Sequence, residues 1–304
     1  PAMSLQHAPR WLPIAPWLFL FVWSAGYGVA KLALESTAPL NLLALRFIGA
    51  TLALLPVVMI VRPDWPDRLA VRDLVIVALF LQLGHFLCIY WGLSLGASAG
   101  VLALFAASQP VFIAIVSSMV NRHFPPLRIW LGLLVGLAGA AWVIFVRGDF
   151  SDGTLLCAVL GFVAVISLSL GQVYDKRQQP KCHPLLVYMI QYAFASAVSL
   201  PIAWWIEGYQ TEWTPSLMGA LGYLVFGNSL LGIFLMLTMV RFGAISQVTS
   251  IMFLVPGIAA LIAWLVVDEV MPMLAWPGIG LAAAGVLLVL YAPPSFVPVK
   301  EASS

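Results

Sequence analysis

The sequence predicts an all-α membrane protein of ten transmembrane helices, arranged as two inverted five-helix repeats with cytoplasmic N- and C-termini. Three observations support this fold class: the composition, the recurrence of long apolar stretches, and an alignment of the two halves on each other. Of the 304 residues, 62% are hydrophobic and 9% are charged, whereas a soluble domain has roughly 45–50% and about 25%. This excess of apolar side chains excludes a water-soluble globular protein.

Ten stretches have the length of a span, because about 20 residues cross about 30 Å of hydrocarbon. They are residues 12–34, 40–61, 71–92, 97–120, 127–146, 153–174, 184–206, 216–240, 243–267 and 272–291. The first stretch resembles a signal peptide, but its counterpart in the second half favours a transmembrane helix. The run from Leu74 to Asn121 has no Asp, Glu, Lys or Arg, and we divide it at a turn between Gly92 and Gly96.

An offset of 145 or 146 residues aligns a first repeat, residues 1–150, with a second repeat, residues 151–304. The matched residues are mainly proline, glycine and alanine, and they include Ser24 with Ser169, Pro39 with Pro184, Pro56 with Pro201, Pro110 with Pro256 and Gly139 with Gly285. Five spans in each repeat place the second copy upside down in the membrane. Inverted repeats are typical of secondary transporters, whose binding site lies between them.

The distribution of Lys and Arg residues predicts on which side of the membrane each span ends. Eleven of the fourteen Lys and Arg residues lie on the side of the N-terminus, and only Lys31 and Arg147 lie on the other side. The positive-inside rule therefore predicts that both termini are cytoplasmic. A nine-span arrangement without the second span fits the charges equally well, because Arg46 lies inside that span. The equivalent span carries uncharged Gln191 at this position, which favours ten spans.

Several short motifs, spread over nearly the whole chain, resemble those of the EamA-type family of the drug/metabolite transporter superfamily. The motifs are Trp23-Ser24, Lys31, Pro39, Leu45-Arg46-Phe47, Arg241-Phe242-Gly243-Ala244, Pro256, Trp264, Asp268-Glu269, Gly278 and Gly285. The resemblance implies ten helices, cytoplasmic termini, and export or uptake of small metabolites through a central cavity in the bacterial inner membrane. The acidic position at Glu269 has His123 as its first-half counterpart, so a role shared by both copies is not expected. Within the family, the chain is most similar to exporters of aromatic amino acids.

Polar and aromatic residues in the third span are the leading candidates for substrate binding. Gln82, His85 and Phe86 recur on one helical face, and polar groups inside a span tend to face the bundle interior or water. This face either lines a cavity or makes packed hydrogen bonds between helices. His85 is also the ionisable group to test for proton movement.

Other spans supply further candidates for a cavity lining, with helix packing as the alternative for each. They are Trp23, Tyr27, Ser98, Phe105, Gln109, Ser169, Asn228, Gln247 and Ser250. Pro110 and Pro256 stand at equivalent places, where a proline frees a backbone carbonyl one turn earlier. They mark either a gate beside the site or two structural kinks.

Three residues are interpreted mainly as structural. Arg46 is either a clamp for a substrate carboxylate or a side chain that snorkels or binds helix ends, and its position near one end of the span favours the second interpretation. Tyr90 and Trp91 are expected to be anchors at the membrane interface.

Small residues predict one close helix contact. Gly132, Gly136 and Gly139 in the fifth span, and Gly278, Gly280 and Gly285 in the tenth, favour packing of these two helices away from the transport path. Both a monomer and a homodimer through these helices are compatible with the pattern.

No Asp or Glu lies in the middle of a span, which disfavours proton-driven efflux through a buried carboxylate. The sequence has no P-loop, zinc motif or catalytic nucleophile pattern, so we expect no enzyme activity, no cofactor, no metal and no nucleic-acid partner. The expected partners are the lipid bilayer and a small-molecule substrate. The leading hypothesis is a uniporter that exports neutral or aromatic amino acids. A broad exporter of drugs or toxic metabolites is the second hypothesis, and a structural or receptor-like membrane protein is the third.

Overall fold

The computed structural model describes residues 11–120, 127–147, 152–178, 182–208, 210–241, 254–269 and 272–290. Within these ranges the chain is helical and has no strand. An isolated antiparallel bridge joins Thr37 and Thr211. The predicted all-α class is confirmed for this part of the chain.

The described helices form ten rods, which we number in chain order. They are α1 (Ala15–Ala33), α2 (Pro39–Val61), α3 (Arg68–Ser94), α4 (Ala99–Val120), α5 (Leu127–Arg147), α6 (Asp152–Gln178), α7 (Pro184–Glu207), α8 (residues 215–241), α9 (Val255–Val267) and α10 (Trp276–Leu290). Each rod overlaps the predicted span of the same number.

The helix ends follow from local chemistry. Pro39 and Pro184 begin α2 and α7, where the missing N–H has no intrahelical acceptor to lose. The Asp67 carboxylate accepts a hydrogen bond of 2.7 Å from the Ala70 N–H and so caps α3. Gly96, with φ of 94°, forms the predicted turn between α3 and α4, because glycine adopts positive φ without steric conflict.

Two rods contain π-helical segments at equivalent places. Residues Leu79–Gly84 of α3 and Tyr223–Leu231 of α8 are π-helical, and the offset of 145 residues maps one segment into the other. A π-helix widens the turn and is frequent at functional sites, because it redirects side chains. The middle parts of α3 and α8 are therefore candidate positions for a functional site.

The fourth rod is interrupted just before Pro110. Its first segment ends at Ala107 and its second begins at Gln109, with a turn at Ser108. Pro110 stands in the first turn of the second segment, where it leaves no hydrogen bond unmade. Pro256 similarly lies in the first turn of the described part of α9.

Helix neighbours are paired in a regular way. The rod α2 packs along α7, and α5 packs along α10; α1 contacts α8 and α9, while α6 contacts α3 and α4. Each rod has an equivalent in the other half: α1 corresponds to α6, α2 to α7, and so on. If every rod in these pairs is replaced by its equivalent, the same pairs are obtained. These helix pairs therefore recur in the two halves of the chain.

Glycines bring α5 and α10 into backbone contact, as predicted. A Cβ atom added at Gly139 would lie 2.5 Å from the Gly278 carbonyl oxygen, and one at Gly285 would lie 2.6 Å from the Gly132 carbonyl oxygen. Only glycine fits at this separation. The expected contact between the fifth and tenth helices is confirmed.

Six rods, α2, α3, α4, α6, α7 and α8, are long and apolar enough to cross a membrane by length and composition. Three shorter apolar helices are Leu127–Val143, Val255–Val267 and Met273–Gly285. Large apolar side chains cover the outside of the bundle; Trp205 and Ile60, for example, are 88% and 81% exposed. Such a surface fits lipid and does not fit water.

Candidate functional site

Arg46 is the centre of a polar cluster in the bundle interior. Its guanidinium donates hydrogen bonds of 2.9 Å to the Ser229 hydroxyl, 2.6 Å to the Tyr90 hydroxyl and 2.7 Å to the Asn228 side-chain oxygen. Arg46 is 2% exposed. The expectation that Arg46 snorkels or binds helix ends is therefore wrong, because its partners are side chains on neighbouring rods.

Aromatic rings surround the same guanidinium. The Arg46 Cζ atom lies 4.1 Å from the ring centroid of Phe86, a distance at which the ring quadrupole attracts a cation. Phe47 lies edge-on to Phe86 and stacks on Tyr192, with centroids 6.2 and 5.7 Å apart. Tyr90 is buried, so the prediction that it anchors at the membrane interface is wrong. We call Arg46, Phe86, Tyr90, Asn228 and Ser229 the arginine cluster.

The partners of Arg46 are all neutral. Among the described residues the ion pairs are Lys31 with Glu269 and Arg72 with Asp73, and neither includes Arg46. An arginine in the middle of a membrane helix costs roughly 2.5–3.5 kcal/mol by insertion scales. A hydrogen bond to a charged group contributes about 1.5–3 kcal/mol. Three such bonds can account for burial of the guanidinium, yet no carboxylate of the described residues neutralises its positive charge.

A second polar cluster lies at the equivalent place of the other half. Gln191, the counterpart of Arg46, accepts a hydrogen bond of 3.1 Å from the Gln82 side-chain nitrogen. Gln82 belongs to the π-helical segment of α3, as Asn228 and Ser229 belong to that of α8. Each half thus presents a polar residue of its second helix to the π-helical segment of the other half.

Equivalent residues meet each other between α2 and α7. The Thr51 and Ser196 hydroxyls are 3.5 Å apart and are separated by 145 residues in sequence. Phe47 stacks on Tyr192, which is also its equivalent. At 1.5 Å per residue, Arg46 lies about 7 Å along α2 from Thr51. The arginine cluster and the Gln82–Gln191 pair therefore lie on opposite sides of this contact.

One end of the bundle is closed by polar contacts between the two halves. The Lys31 ammonium lies 2.7 Å from the Glu269 carboxylate, and it donates a hydrogen bond of 3.4 Å to the Ala97 carbonyl. The Glu207 carboxylate accepts hydrogen bonds from the backbone N–H groups of Leu40 and Asn41, at 3.0 and 2.8 Å. These contacts join α1 and α2 to the ends of α9 and α7.

A cavity of about 210 Å³ lies at this closed end. Its lining includes Asn41, Ala44 and Leu45 of α2 and Thr211 and Trp213 before α8. The Asn41 side-chain oxygen is buried without a hydrogen-bond partner among the described residues. Because Ala44 and Leu45 directly precede Arg46, the cavity lies on the side of Arg46 toward the closed end.

The structure brings some of the predicted site residues together. Phe86 and Asn228 belong to the arginine cluster. His85 is buried, and its Nδ1 lies 3.1 Å from the Ala164 carbonyl on α6, so a protonated Nδ1 donates there. Gln82 and His85 thus make the interhelical hydrogen bonds that were the alternative to a cavity face.

Tyr27 and Trp23 lie on α1. Tyr27 is 7% exposed and belongs to the same apolar core as Phe47 and Tyr90. Trp23 is half-buried and stacks on Phe19 with centroids 5.5 Å apart. Of these two residues, Tyr27 is therefore the one that is buried in the core containing the arginine cluster.

Residues of the fourth rod lie elsewhere. Ser98 precedes α4 at the closed end, next to Ala97, and its hydroxyl is buried without a partner among the described residues. Phe105 packs on Phe162 in a separate apolar cluster with residues of α5 and α10. Gln109 begins the second segment of this rod and is half-buried. Ser98, Phe105 and Gln109 of the fourth rod therefore lie in different surroundings.

The remaining predicted positions are not part of the arginine cluster. The Ser169 hydroxyl donates to the Val165 carbonyl of its own helix, 2.7 Å away. Gln247 and Ser250 lie outside the described residues. Pro110 and Pro256 begin helical segments, as described above.

Sequence reasoning favoured structural roles for two residues of this site. Arg46 was given a clamp for a substrate carboxylate as its alternative and Tyr90 was predicted as an interfacial anchor, but the hydrogen bond between them joins residues 44 positions apart. Tyr192 was not considered at all, although its hydroxyl donates to the Ser229 carbonyl at 3.1 Å. The signal that could have found these contacts is the equivalence of Arg46 with Gln191, both polar within apolar helices.

No group of three or more metal-ligating side chains occurs in the part of the chain that the structure describes. The cysteines Cys88, Cys157 and Cys182 are free thiols. The buried polar side chains of the described residues carry the Arg46 guanidinium, the Asp73 carboxylate near the start of α3, the His85 imidazole, amides and hydroxyls.

Comparison with known proteins identifies the family. The sequence model of the EamA-like transporter family matches the chain twice, over residues 14–145 and 155–291. The Escherichia coli K12 protein named "Uncharacterized inner membrane transporter YedA" is 27% identical over 285 residues, which cover 91% of this chain and 90% of that protein. The Bacillus subtilis 168 protein named "Uncharacterized transporter YdfC" is 24% identical over 282 residues, covering 88% and 87%.

A solved crystal structure is similar with a TM-score of 0.61 at 17% identity, and the match covers 91% of this chain and 95% of the other. At this identity the likeness shows the fold alone. The family, its inner-membrane relatives and the apolar helices together describe a multi-pass inner-membrane transporter. The chain belongs to the EamA-like transporter family.

Proposed function

We propose that this transporter exports small metabolites, in particular neutral or aromatic amino acids, by alternating access through a central site. The observation that carries the proposal is the arginine cluster at the contact between the two halves. It combines hydrogen-bonding groups from α2, α3 and α8 with the rings of Phe47, Phe86 and Tyr192. A small molecule with a polar head and a flat apolar body needs both kinds of group.

The proposed architecture is ten spans in two inverted repeats, residues 1–150 and 151–304, with both termini in the cytoplasm. Two findings support it: equivalent residues such as Thr51 and Ser196 contact each other, and the family model matches each half separately. Contacts between equivalent positions are expected where a two-fold axis passes between α2 and α7. Such repeats can exchange conformations, so that the same site opens to either side of the membrane.

In this topology the closed end is periplasmic. The Lys31–Glu269 ion pair then joins the outer ends of α1 and α9, and it must separate before the site opens outward. Its side chains are 23% and 9% exposed, so the pair is shielded from water and is stronger than an exposed pair. We therefore propose that this pair closes the site on the periplasmic side.

Uniport is the proposed coupling. The described buried or half-buried carboxylates are Asp73, Asp175, Glu207 and Glu269, and all four lie near helix ends. Three of them bind Arg72, backbone N–H groups or Lys31. None of the four is hydrogen-bonded to a residue of the arginine cluster. His85 is the remaining candidate for carrying a proton, and its imidazole bonds to a backbone carbonyl.

The test is counterflow in proteoliposomes that contain the purified protein and unlabelled amino acids. Labelled phenylalanine is expected to enter without an imposed gradient, and a proton gradient should not change the equilibrium level. The same assay with His85→Ala should retain counterflow if no proton is carried. Uptake that collapses with the proton gradient at constant voltage, and is lost in this variant, would contradict uniport. Transport of cationic dyes without any amino acid would instead favour a broad drug exporter.

A further inference from the structure

We propose that Arg46 is the anion-binding group of the transport site and that the substrate carries a free carboxylate. This inference rests on the proposed function, because it assigns one chemical requirement to the site through which transport occurs. It reverses the sequence-based preference, in which a structural role for Arg46 was favoured. Four structural observations support it.

The first observation is the state of the guanidinium. Arginine has five N–H donors, and three of them bind Ser229, Tyr90 and Asn228. No described residue accepts a hydrogen bond from the other two. No described carboxylate forms an ion pair with Arg46 either. A buried guanidinium with unused donors and an uncompensated charge matches the needs of a bound anion.

The second observation is the kind of partner that Arg46 has. Hydroxyl and amide groups can hold the guanidinium in place in the absence of substrate without neutralising it. A carboxylate accepts two parallel hydrogen bonds from the guanidinium fork, and these charge-assisted bonds are stronger than those to neutral acceptors. An entering carboxylate can therefore replace one or two of the neutral partners. An aspartate or glutamate in their place would compete with the substrate.

The third observation is the ring environment. The ring centroids of Phe86 and Phe47 lie 4.1 and 6.0 Å from Arg46 Cζ, and Tyr192 stacks on Phe47. A carboxylate at Arg46 would leave the apolar part of the same molecule against these rings. Aromatic pairs prefer offset-stacked or edge-to-face contacts, which suits a flat side chain.

The fourth observation is the difference between the two halves. The equivalent position holds Gln191, whose partner Gln82 is also neutral. The positive charge is thus confined to one of two equivalent places in the interior. The structure assigns one anion site to the transport path, and it disfavours cations because they would meet the charge of Arg46.

The experiment measures competition against labelled phenylalanine in the counterflow assay. The competitors are unlabelled phenylalanine, phenylalaninamide, phenylalanine methyl ester and 3-phenylpropionate. The amide and the ester keep the ring and the ammonium group but lack the carboxylate, whereas 3-phenylpropionate keeps the carboxylate and lacks the ammonium group. The wild-type protein should prefer phenylalanine over the amide and the ester by at least about tenfold, the size expected for loss of a charged hydrogen-bonded contact.

The variant Arg46→Gln should lose this preference, so that acid and amide compete equally. Arg72→Gln is the matched control, since Arg72 is an exposed arginine whose side chain is 60% accessible and pairs with Asp73. Thermal unfolding and gel filtration report whether each variant is folded. If Arg46→Gln does not fold, two other measurements still decide whether Arg46 binds a carboxylate. They are the competition with the wild-type protein and the variant Arg46→Lys, which keeps the charge but lacks the parallel N–H donors of the guanidinium.

Equal competition by phenylalanine and its amide in the wild-type protein would overturn the inference while leaving amino acid transport intact. A preference for the acid that persists unchanged in folded Arg46→Gln would overturn it as well. If phenylalanine is not transported but labelled 3-phenylpropionate is, the carboxylate requirement stands and the amino acid proposal fails. Transport of cationic dyes with no effect of any carboxylate would contradict both.

Discussion

Arg46 and Gln191 occupy equivalent positions in the two halves, and each contacts the π-helical segment of the opposite half. Arg46 binds Asn228 and Ser229 in α8, while Gln191 binds Gln82 in α3. The geometry is shared, but the charge is not. The two positions therefore share an arrangement, and only the one in the first half carries a charged group.

The variant Asn228→Asp tests whether the charge of Arg46 is kept free for a ligand. An aspartate would place a carboxylate near the position of the Asn228 oxygen, 2.7 Å from the guanidinium. The new ion pair should raise the midpoint of thermal unfolding by about 2–4 °C for each kcal/mol of stability, reduced by loss of the hydrogen bond of 3.3 Å from Asn228 Nδ2 to the Val22 carbonyl. Transport should fall at least about tenfold, because the internal carboxylate competes with the substrate.

Gln191→Glu is the matched control for that variant. It introduces a carboxylate at the equivalent place, where the partner is the neutral Gln82. Burial of an unpaired charge should lower the unfolding midpoint. A stabilising effect of both acidic variants, or unchanged transport by Asn228→Asp, would argue against a free charge at Arg46.

The variant Gly139→Ala tests the contact between α5 and α10. Its Cβ atom would lie 2.5 Å from the Gly278 carbonyl oxygen and 2.6 Å from the Ala282 nitrogen, so the helices must separate. Overpacking of this kind destabilises by roughly 1–3 kcal/mol, measured by denaturation in detergent. Gly136→Ala is the control on the same helix, because a Cβ atom there meets nothing within 4 Å. Equal stability of the two variants would contradict the observed packing.

Charge reversal tests the closure at Lys31 and Glu269. The single variant Lys31→Glu places two carboxylates together, and Glu269→Lys places two ammonium groups together. Both should reduce counterflow several-fold, because the closed state can no longer form. The double variant should recover much of the activity, since it restores the ion pair of 2.7 Å with the charges exchanged. Independent, additive losses in the double variant would show that the pair does not act as a unit.

Cys182 allows a test of the topology with a native residue. It precedes α7, on the side that we place in the cytoplasm. After Cys88→Ser and Cys157→Ser, a membrane-impermeant maleimide should label inverted vesicles and leave intact spheroplasts unlabelled. Labelling of spheroplasts but not of inverted vesicles would reverse the proposed orientation.

The same thiol predicts a pH dependence of labelling. Partial burial raises the pKa of the Cys182 thiol above its ordinary value, and the thiolate is the reactive form. At neutral pH the group is therefore mostly protonated, and the labelling rate should increase as the pH is raised from 7 to 9. A rate that is independent of pH over this range would contradict the raised pKa.

Much of the fold could be predicted from the sequence. Helix positions follow from apolar stretches of the right length, and Gly96, Pro39 and Pro184 set turns and helix starts through their own backbone restrictions. The contact of α5 with α10 was predictable from Gly139 and Gly285, because only glycine permits such an approach. These properties are local or depend on a single residue type, so no partner needs to be known.

The candidate site was predictable only in part. Polarity within apolar helices identified Gln82, His85 and Asn228 as interior groups, because burial of polar atoms requires a partner. It did not show that His85 meets the Ala164 carbonyl or that Phe105 packs apart from the arginine cluster. Which face of a helix meets which neighbour depends on packing over long sequence separations.

The sequence by itself determined that the chain is a helical membrane protein with a repeated pattern, since the apolar stretches depend on hydrophobicity and the repeat on the positions of proline and glycine. The tertiary structure decided the role of Arg46. Its distance from the end of α2 allows either snorkelling to the interface or a turn inward, and the choice depends on partners from distant parts of the chain. Tyr90, Asn228 and Ser229 supply those partners in the interior, and together they stabilise a buried guanidinium that lipid alone would not accept.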